Sequence, residues 1–254
     1  MFDKNKKKLN VMILGGDRSG TTWIHGLCAQ HADIFVCPGN RREFLSKQEF
    51  KKKRFFSKLK FNCPLDNHKN EKIILGMRNM QIYHDFRMAK MYFDYDRNIK
   101  FILSLRNPIE RTISSYQVRV KKLVSNGLKK EIFDINSDIT KEQPYVQRSL
   151  IYSMLESYLD YFPKKNFFIF PIEKVNKNPN EWMNNIFSFL EIEKNNNLDY
   201  TKVSSNQRNV NSKIKFVSIN EETKKKIVHW CLEDILKLSD LSKMDLVKYW
   251  NLER

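Results

Sequence analysis

Val11-Met12-Ile13-Leu14-Gly15-Gly16-Asp17-Arg18-Ser19-Gly20-Thr21-Thr22-Trp23-Ile24 decides the fold. A short apolar run meets a turn rich in Gly and Ser, and an apolar-periodic segment follows. Strand, tight loop and helix in that order present backbone N–H groups to a phosphate. The spacing Gly15-x4-Gly20 is that of a Walker-type phosphate loop, with one decisive change. Thr21 stands where a nucleotide triphosphatase carries lysine, ahead of the hydroxyl residue Thr22. The loop keeps the means to cradle a phosphate but lacks the lysine that reaches β- and γ-phosphates. Its own cation, Arg18, lies inside the turn. A glycine turn before a buried helix is the plainer reading. Gly, Gly, Ser, Gly and two Thr after a strand rarely coincide, and the phosphate site is preferred.

Outward along the chain, Lys100-Phe101-Ile102-Leu103-Ser104-Leu105-Arg106-Asn107-Pro108-Ile109-Glu110-Arg111-Thr112-Ile113-Ser114-Ser115-Tyr116 again reads strand, turn, helix. Asn107 is a good N-cap, and Pro108 suits the first helical position. Arg106 falls at the carboxyl end of the strand, where open α/β sheets bind ligands. Ser114 lies about two helical turns further on. An Arg at the strand end and a hydroxyl on the helix are suited to grip one more phosphate. A phosphoryl-transfer enzyme of the phosphate-loop type also needs its lysine and an acidic residue for a metal. No apolar strand here ends in a convincing metal-holding Asp.

Together these two segments resemble the sulfotransferases that use 3′-phosphoadenosine 5′-phosphosulfate (PAPS), in their carbohydrate and heparan-type branch. In that family the first loop binds the 5′-phosphosulfate. An Arg-Asn-Pro-x-x-Arg-x-x-Ser segment, like Arg106 to Ser114, binds the 3′-phosphate. The family loop is often Pro-Lys-x-Gly-Thr-Thr. Asp17-Arg18-Ser19-Gly20-Thr21-Thr22 has Arg for Lys, as in members resembling tyrosylprotein sulfotransferases. The resemblance extends through most of the chain, to Glu156–Pro171 and to the closing segment Leu236–Trp250. It implies a donor site made of Arg18, Ser19, Gly20, Thr21, Thr22, Trp23, Arg106 and Ser114. It also implies that a basic loop near Lys202, Arg208 and Lys213 closes over the 3′-phosphate, with Arg208 as its donor-binding residue. No metal is implied.

For catalysis the resemblance implies three residues: Arg18, Glu43 and Arg78. Val36-Cys37-Pro38-Gly39-Asn40-Arg41-Arg42-Glu43-Phe44 resembles the Lys-Glu segment of carbohydrate sulfotransferases, whose Glu takes the acceptor proton. Arg41 and Arg42 would keep Glu43 ionised, and a surface Glu paired to Arg is the plainer alternative. Gly76-Met77-Arg78-Asn79-Met80 occupies the place of a Lys-Ser/Thr-Pro segment. Arg78 replaces the Lys, while the Ser/Thr and Pro are absent.

Composition bounds the reading. The 254 residues carry 46 Lys and Arg against 29 Asp and Glu, a formal charge of +17. Such a surface draws in an anionic donor and an anionic acceptor. Lys51-Lys52-Lys53-Arg54 is the densest patch and suits an acceptor groove for an acidic polysaccharide, although generic solvated lysines account for it equally well. Cys28, Cys37, Cys63 and Cys231 show no paired spacing and read as reduced thiols. His25, Cys28 and His31 spread around a helix rather than converge, which disfavours a metal site. No run of eighteen apolar residues occurs, so no membrane span is expected. Met1 to Asn10 is Lys-rich and enters the first strand without an apolar signal region, so a cytoplasmic enzyme is expected.

The alternation of strands and helices predicts a three-layer α/β/α fold with a central, mostly parallel sheet, like that of P-loop nucleoside triphosphate hydrolases. Residues 1–254 are read as a single sulfotransferase domain, with Gly127–Pro144 irregular and one helix over Gln147–Tyr161. The function this predicts is sulfuryl transfer from PAPS to a hydroxyl or amine, with carbohydrate the preferred acceptor. A tyrosylprotein or small-molecule acceptor stays open. A small-molecule kinase lacks its lysine at Thr21. A non-enzymatic polyanion binder would need stacking motifs or a groove-reading helix, and neither is visible, so no nucleic-acid partner is expected.

Overall fold

Every residue of Val11–Gly15 (β1) is buried, and its side chains split between two cores. Met12 and Leu14 enter one apolar cluster, Val11 and Ile13 the other. The period-two alternation of a strand therefore puts an apolar layer on each face of the sheet. The computed structural model describes residues 9–37, 70–79, 86–201 and 214–252, with the backbone alone at 77–79, 86 and 87.

From β1 the chain passes through Thr21–Cys28 (α1), Ile34–Val36 (β2), Ile73–Asn79 (β3), Phe86–Tyr95 (α2), Lys100–Leu105 (β4) and Pro108–Ser125 (α3). Then come Ile132–Asp134 (β5), Ile135–Asp138 (α4), Pro144–Gln147 (α5), Ile151–Leu159 (α6), Phe167–Pro171 (β6), Ile172–Lys177 (α7) and Pro179–Phe189 (α8). Lys215–Val217 (β7), Glu221–Ser242 (α9) and Leu246–Tyr249 (α10) follow. The main sheet runs β2-β3-β1-β4-β6, and each of its neighbouring pairs is parallel. After β1 the chain builds one side of the sheet, then crosses to build the other. The reversal opens a crevice at the carboxyl end of β1, where such folds bind ligands.

Local rules account for the element that carries the second motif. Asn107 Oδ1 accepts from the N–H groups of Ile109 (2.9 Å) and Glu110 (3.3 Å), and Pro108 follows. A cap of this kind contributes about 1 kcal/mol. Gly127 in the left-handed region (φ 99°) follows the helix. Phe101 of β4 stacks on Phe167 at 5.0 Å and meets Phe162 edge-on at 4.8 Å.

Two expectations are corrected. Gly127–Pro144 holds a strand and a helical turn, because β5 pairs with β7 from far along the chain, and Phe133 of β5 and Ile135 of α4 are buried. The helix expected over Gln147–Tyr161 is broken at Arg148–Leu150. Asp234 of α9 caps the second piece by accepting from the N–H groups of Tyr152 (2.8 Å) and Ser153 (2.9 Å). Neither long-range partner leaves a mark on the local pattern. The buried thiols of Cys28 and Cys231 lie in α1 and α9 and are unbridged. His31 lies beyond the end of α1, with Nδ1 accepting from Asp33 N–H (3.1 Å) and Nε2 facing Glu193 O at 2.9 Å.

Candidate active site

The loop between β1 and α1 turns twice through the left-handed region, at Arg18 (φ 70°) and Gly20 (φ 76°). Gly20 is irreplaceable on steric grounds as well. A Cβ there would stand 2.6 Å from Ile172 Cγ1. Gly15 is equally confined, since its Cβ would meet Thr21 Cγ2 at 2.6 Å. No side chain caps the N-terminus of α1. The Gly20 carbonyl accepts from Trp23 N (3.0 Å) and Ile24 N (3.1 Å), which starts the helix. The first N–H groups of a helix have no intrahelical partner and face outward, a ready site for an anion.

Ser19 is 1 % exposed. Its N–H closes the turn onto Gly16 O at 3.2 Å. Its carbonyl accepts from Ser104 Oγ of β4. Its own hydroxyl is buried without a hydrogen-bond partner among the described residues. A buried, unmatched hydroxyl costs about 1–3 kcal/mol, and an anion in the loop would satisfy it. Ser19 thus turns its N–H back onto the loop and keeps a buried, unmatched hydroxyl beside it.

The second motif closes over the first. Arg106, at the end of β4, donates from Nη1 to Arg18 O at 3.0 Å. This bond holds the strained left-handed residue in place. Ser114, on α3, accepts from Arg18 Nε at 2.8 Å. Arg106 also stands 3.9 Å from Glu110. Loop cation, strand-end cation and helix hydroxyl thus form one connected group at the crevice. Trp23 lies beside Tyr200, with ring centroids 6.3 Å apart. Thr21 and Thr22 are half-buried in the first turn of α1. Arg78 pairs in register with Leu14 of β1, so its backbone is beside the strand that feeds the loop. Glu43, Arg208 and the Lys51–Arg54 patch lie outside the described residues.

Several contacts were not read from the sequence. Ser104 is one; its signal was a lone hydroxyl inside an otherwise apolar strand. Asp17 is another, 2.9 Å from Arg148 Nη1. A third is the anchor at the helix start, where Glu173 accepts from Asn107 N–H (2.9 Å) and Trp250 Nε1 (3.3 Å).

Fold and site define an α/β protein of the phosphate-loop class whose loop has Thr21 at the Walker lysine position and carries its cation, Arg18, inside the turn. The sulfotransferase domain family model matches residues 8–233, and the chain belongs to that family. The fold is similar to that of a sulfotransferase from Alicyclobacillus acidocaldarius. The two are 16 % identical with a TM-score of 0.74, and the match covers 97 % of this chain and 100 % of that one. A mouse sulfotransferase, SULT7A1, solved in complex with PAP, shares the fold at 12 % identity and a TM-score of 0.50, covering 93 % and 90 % of the two chains. The sulfotransferase domain of the curacin biosynthetic pathway matches at 13 % identity and a TM-score of 0.50, over 76 % and 77 %. No protein of curated function matches the chain in sequence.

The family transfers sulfuryl groups from PAPS, and this chain is a transferase of that type. The residues present fit such a donor. Ser19 offers an unmatched buried hydroxyl, α1 an open N-terminus, and Arg18 and Arg106 two guanidinium groups at one crevice. Among the described residues no helix is long and apolar enough to cross a membrane.

Proposed function

We propose that this chain moves a sulfuryl group from PAPS to a hydroxyl or amine of a carbohydrate, in line, without a metal. When bound, PAPS supplies the activated sulfuryl group. The N–H groups at the start of α1 and the Ser19 hydroxyl hold the 5′-phosphate. Arg18 neutralises charge that develops on the leaving phosphate, an electrostatic role in which one lost donor costs about 100- to 1000-fold in rate. Arg106 and Ser114 grip the 3′-phosphate, joined by Arg208, and Trp23 lies on the donor side. Glu43 takes the acceptor proton, and Arg78 is the third catalytic residue of this reading. The single observation that supports this reading most is the bond between Arg18 and Ser114, which ties the two phosphate motifs into one group.

The carbohydrate acceptor rests on the likeness of Arg42-Glu43 to the Lys-Glu segment and on the charge of +17, which favours an anionic polymer. The enzyme is proposed to work in the cytoplasm as one domain over residues 1–254. Transfer of label from PAPS to a panel of glycans, tyrosine peptides and small phenols tests the acceptor. Labelling of peptides or phenols alone would overturn the carbohydrate assignment. Thermal stabilisation by adenosine 3′,5′-bisphosphate, set against ATP–Mg²⁺ and DNA, tests the donor. A preference for ATP–Mg²⁺ would replace the proposal with a kinase.

A further inference from the structure

Two parallel strands end side by side at the donor crevice. Leu105 of β4 and Pro171 of β6 are their last partners in register. One residue further on, Arg106 reaches Arg18 O, and Ile172 is the side chain that a Cβ on Gly20 would strike. Two residues further on the chains are still joined, by a side chain in place of the backbone ladder. Glu173 Oε1 accepts from the Asn107 N–H at 2.9 Å.

Asn107 commits its side chain as well. Its Oδ1 caps α3, and its Nδ2 donates to the Trp250 carbonyl at 3.4 Å. Trp250, the residue after α10, is 8 % exposed. It donates from Nε1 to Glu173 Oε2 at 3.3 Å. Glu173, Asn107 and Trp250 thus close a ring of three hydrogen bonds. Lys174 and Lys177 of α7 stand 5.4 Å and 5.9 Å over the ring of Tyr249, which ties the same turn to α7 again.

An ionised carboxylate suits this ring. Both of its partners donate, and each takes its own oxygen, whereas an amide has one oxygen to offer. The negative charge also lies at the N-terminus of α3, where the helix dipole favours it.

We propose that Glu173, locked by Trp250, is a positioning residue of the donor site. Through the Asn107 N–H it fixes the end of β4, from which Arg106 reaches the phosphate loop, so that the cation is in place before the donor arrives. The inference rests on the donor reading above. It gives the closing segment, which the sequence marks out and the proposed mechanism does not use, a part in donor binding.

Calorimetric titration of the full-length chain with adenosine 3′,5′-bisphosphate, alongside urea unfolding, tests it. Glu173→Gln leaves one of the two donors facing an NH₂ group and is expected to weaken binding about tenfold. Donor KM should rise in step, while kcat at saturating PAPS changes little. Trp250→Phe removes the second donor, so adding it to Glu173→Gln should restore most of the affinity. It should not rescue Glu173→Ala, which keeps no acceptor for Asn107. Unchanged affinity in Glu173→Gln overturns the proposal and leaves the donor reading intact. So does a Glu173→Gln/Trp250→Phe chain that regains stability without affinity, since the ring would then brace the fold alone. Failure of the unsubstituted chain to bind overturns both. If Glu173→Gln does not fold, the two double variants decide, because only one of them keeps an acceptor for Asn107.

Discussion

Arg18 donates from Nε to Ser114 Oγ at 2.8 Å, joining a loop and a helix that lie 96 residues apart. The sequence reading assigns these residues to different phosphates of one donor. In the structure they share a bond, so the hydroxyl holds the guanidinium ready before any ligand arrives. This is preorganisation, and it makes loop and helix respond together to substitution.

Ser114→Ala should therefore act mainly on donor binding. Loss of a hydrogen bond to a charged group costs about 1.5–3 kcal/mol, or roughly ten- to a hundredfold in donor KM, with kcat changed less. Initial-rate titration of PAPS at saturating acceptor checks this. Ser114→Thr keeps the hydroxyl and should retain most of the affinity.

Arg18→Ala should do the reverse. Turnover is expected to fall about 100- to 1000-fold while affinity for adenosine 3′,5′-bisphosphate falls far less. Parallel kinetics and calorimetry separate the two effects. Equal losses would remove the transition-state role.

Gly20→Ala should destabilise the protein as well as inactivate it. The new methyl meets Ile172 at 2.6 Å with φ held at 76°. Strain of this kind costs about 1–3 kcal/mol. Urea unfolding gives the loss directly. Adding Ile172→Ala relieves the clash but leaves the backbone strain, so recovery should be partial.

Acidification should weaken the fold through His25. Burial in α1 pulls its imidazole down to about 4 from an ordinary 6.5. Between those values the unfolded chain takes up a proton that the native state refuses, so stability falls as pH drops from 6.5 towards 4. Urea midpoints at both ends of that window should differ less in His25→Gln.

The parts legible in the sequence are those governed by neighbours. Asn107-Pro108 announces the start of α3 because a cap and a fixed φ act within one turn. Val11–Leu14 announces β1 because a strand buried on both faces must be apolar throughout. Ile34–Val36 is the edge strand β2, with Ile34 buried and Phe35 and Val36 half-buried. Hidden were contacts that depend on distant chain. The Ser104 bond to Ser19 is hidden because a lone hydroxyl in an apolar strand signals a polar contact without naming its partner. The break at Arg148 is invisible because Asp234, its cap, lies on another helix. Of the proposed site residues, the loop and Arg106–Ser114 come together, while Glu43 and Arg208 lie outside the described residues.

The place of β1, with β3 on one side and β4 on the other, sets an order of assembly. A nascent chain has completed its loop at Gly20 but has no strand to seat on β1's second edge until Lys100–Leu105 has been synthesised. Arg106 and Ser114 are translated only afterwards. Affinity for adenosine 3′,5′-bisphosphate should thus appear late and abruptly during translation, and ligand capture by ribosome-bound chains of increasing length would time the closing of the sheet.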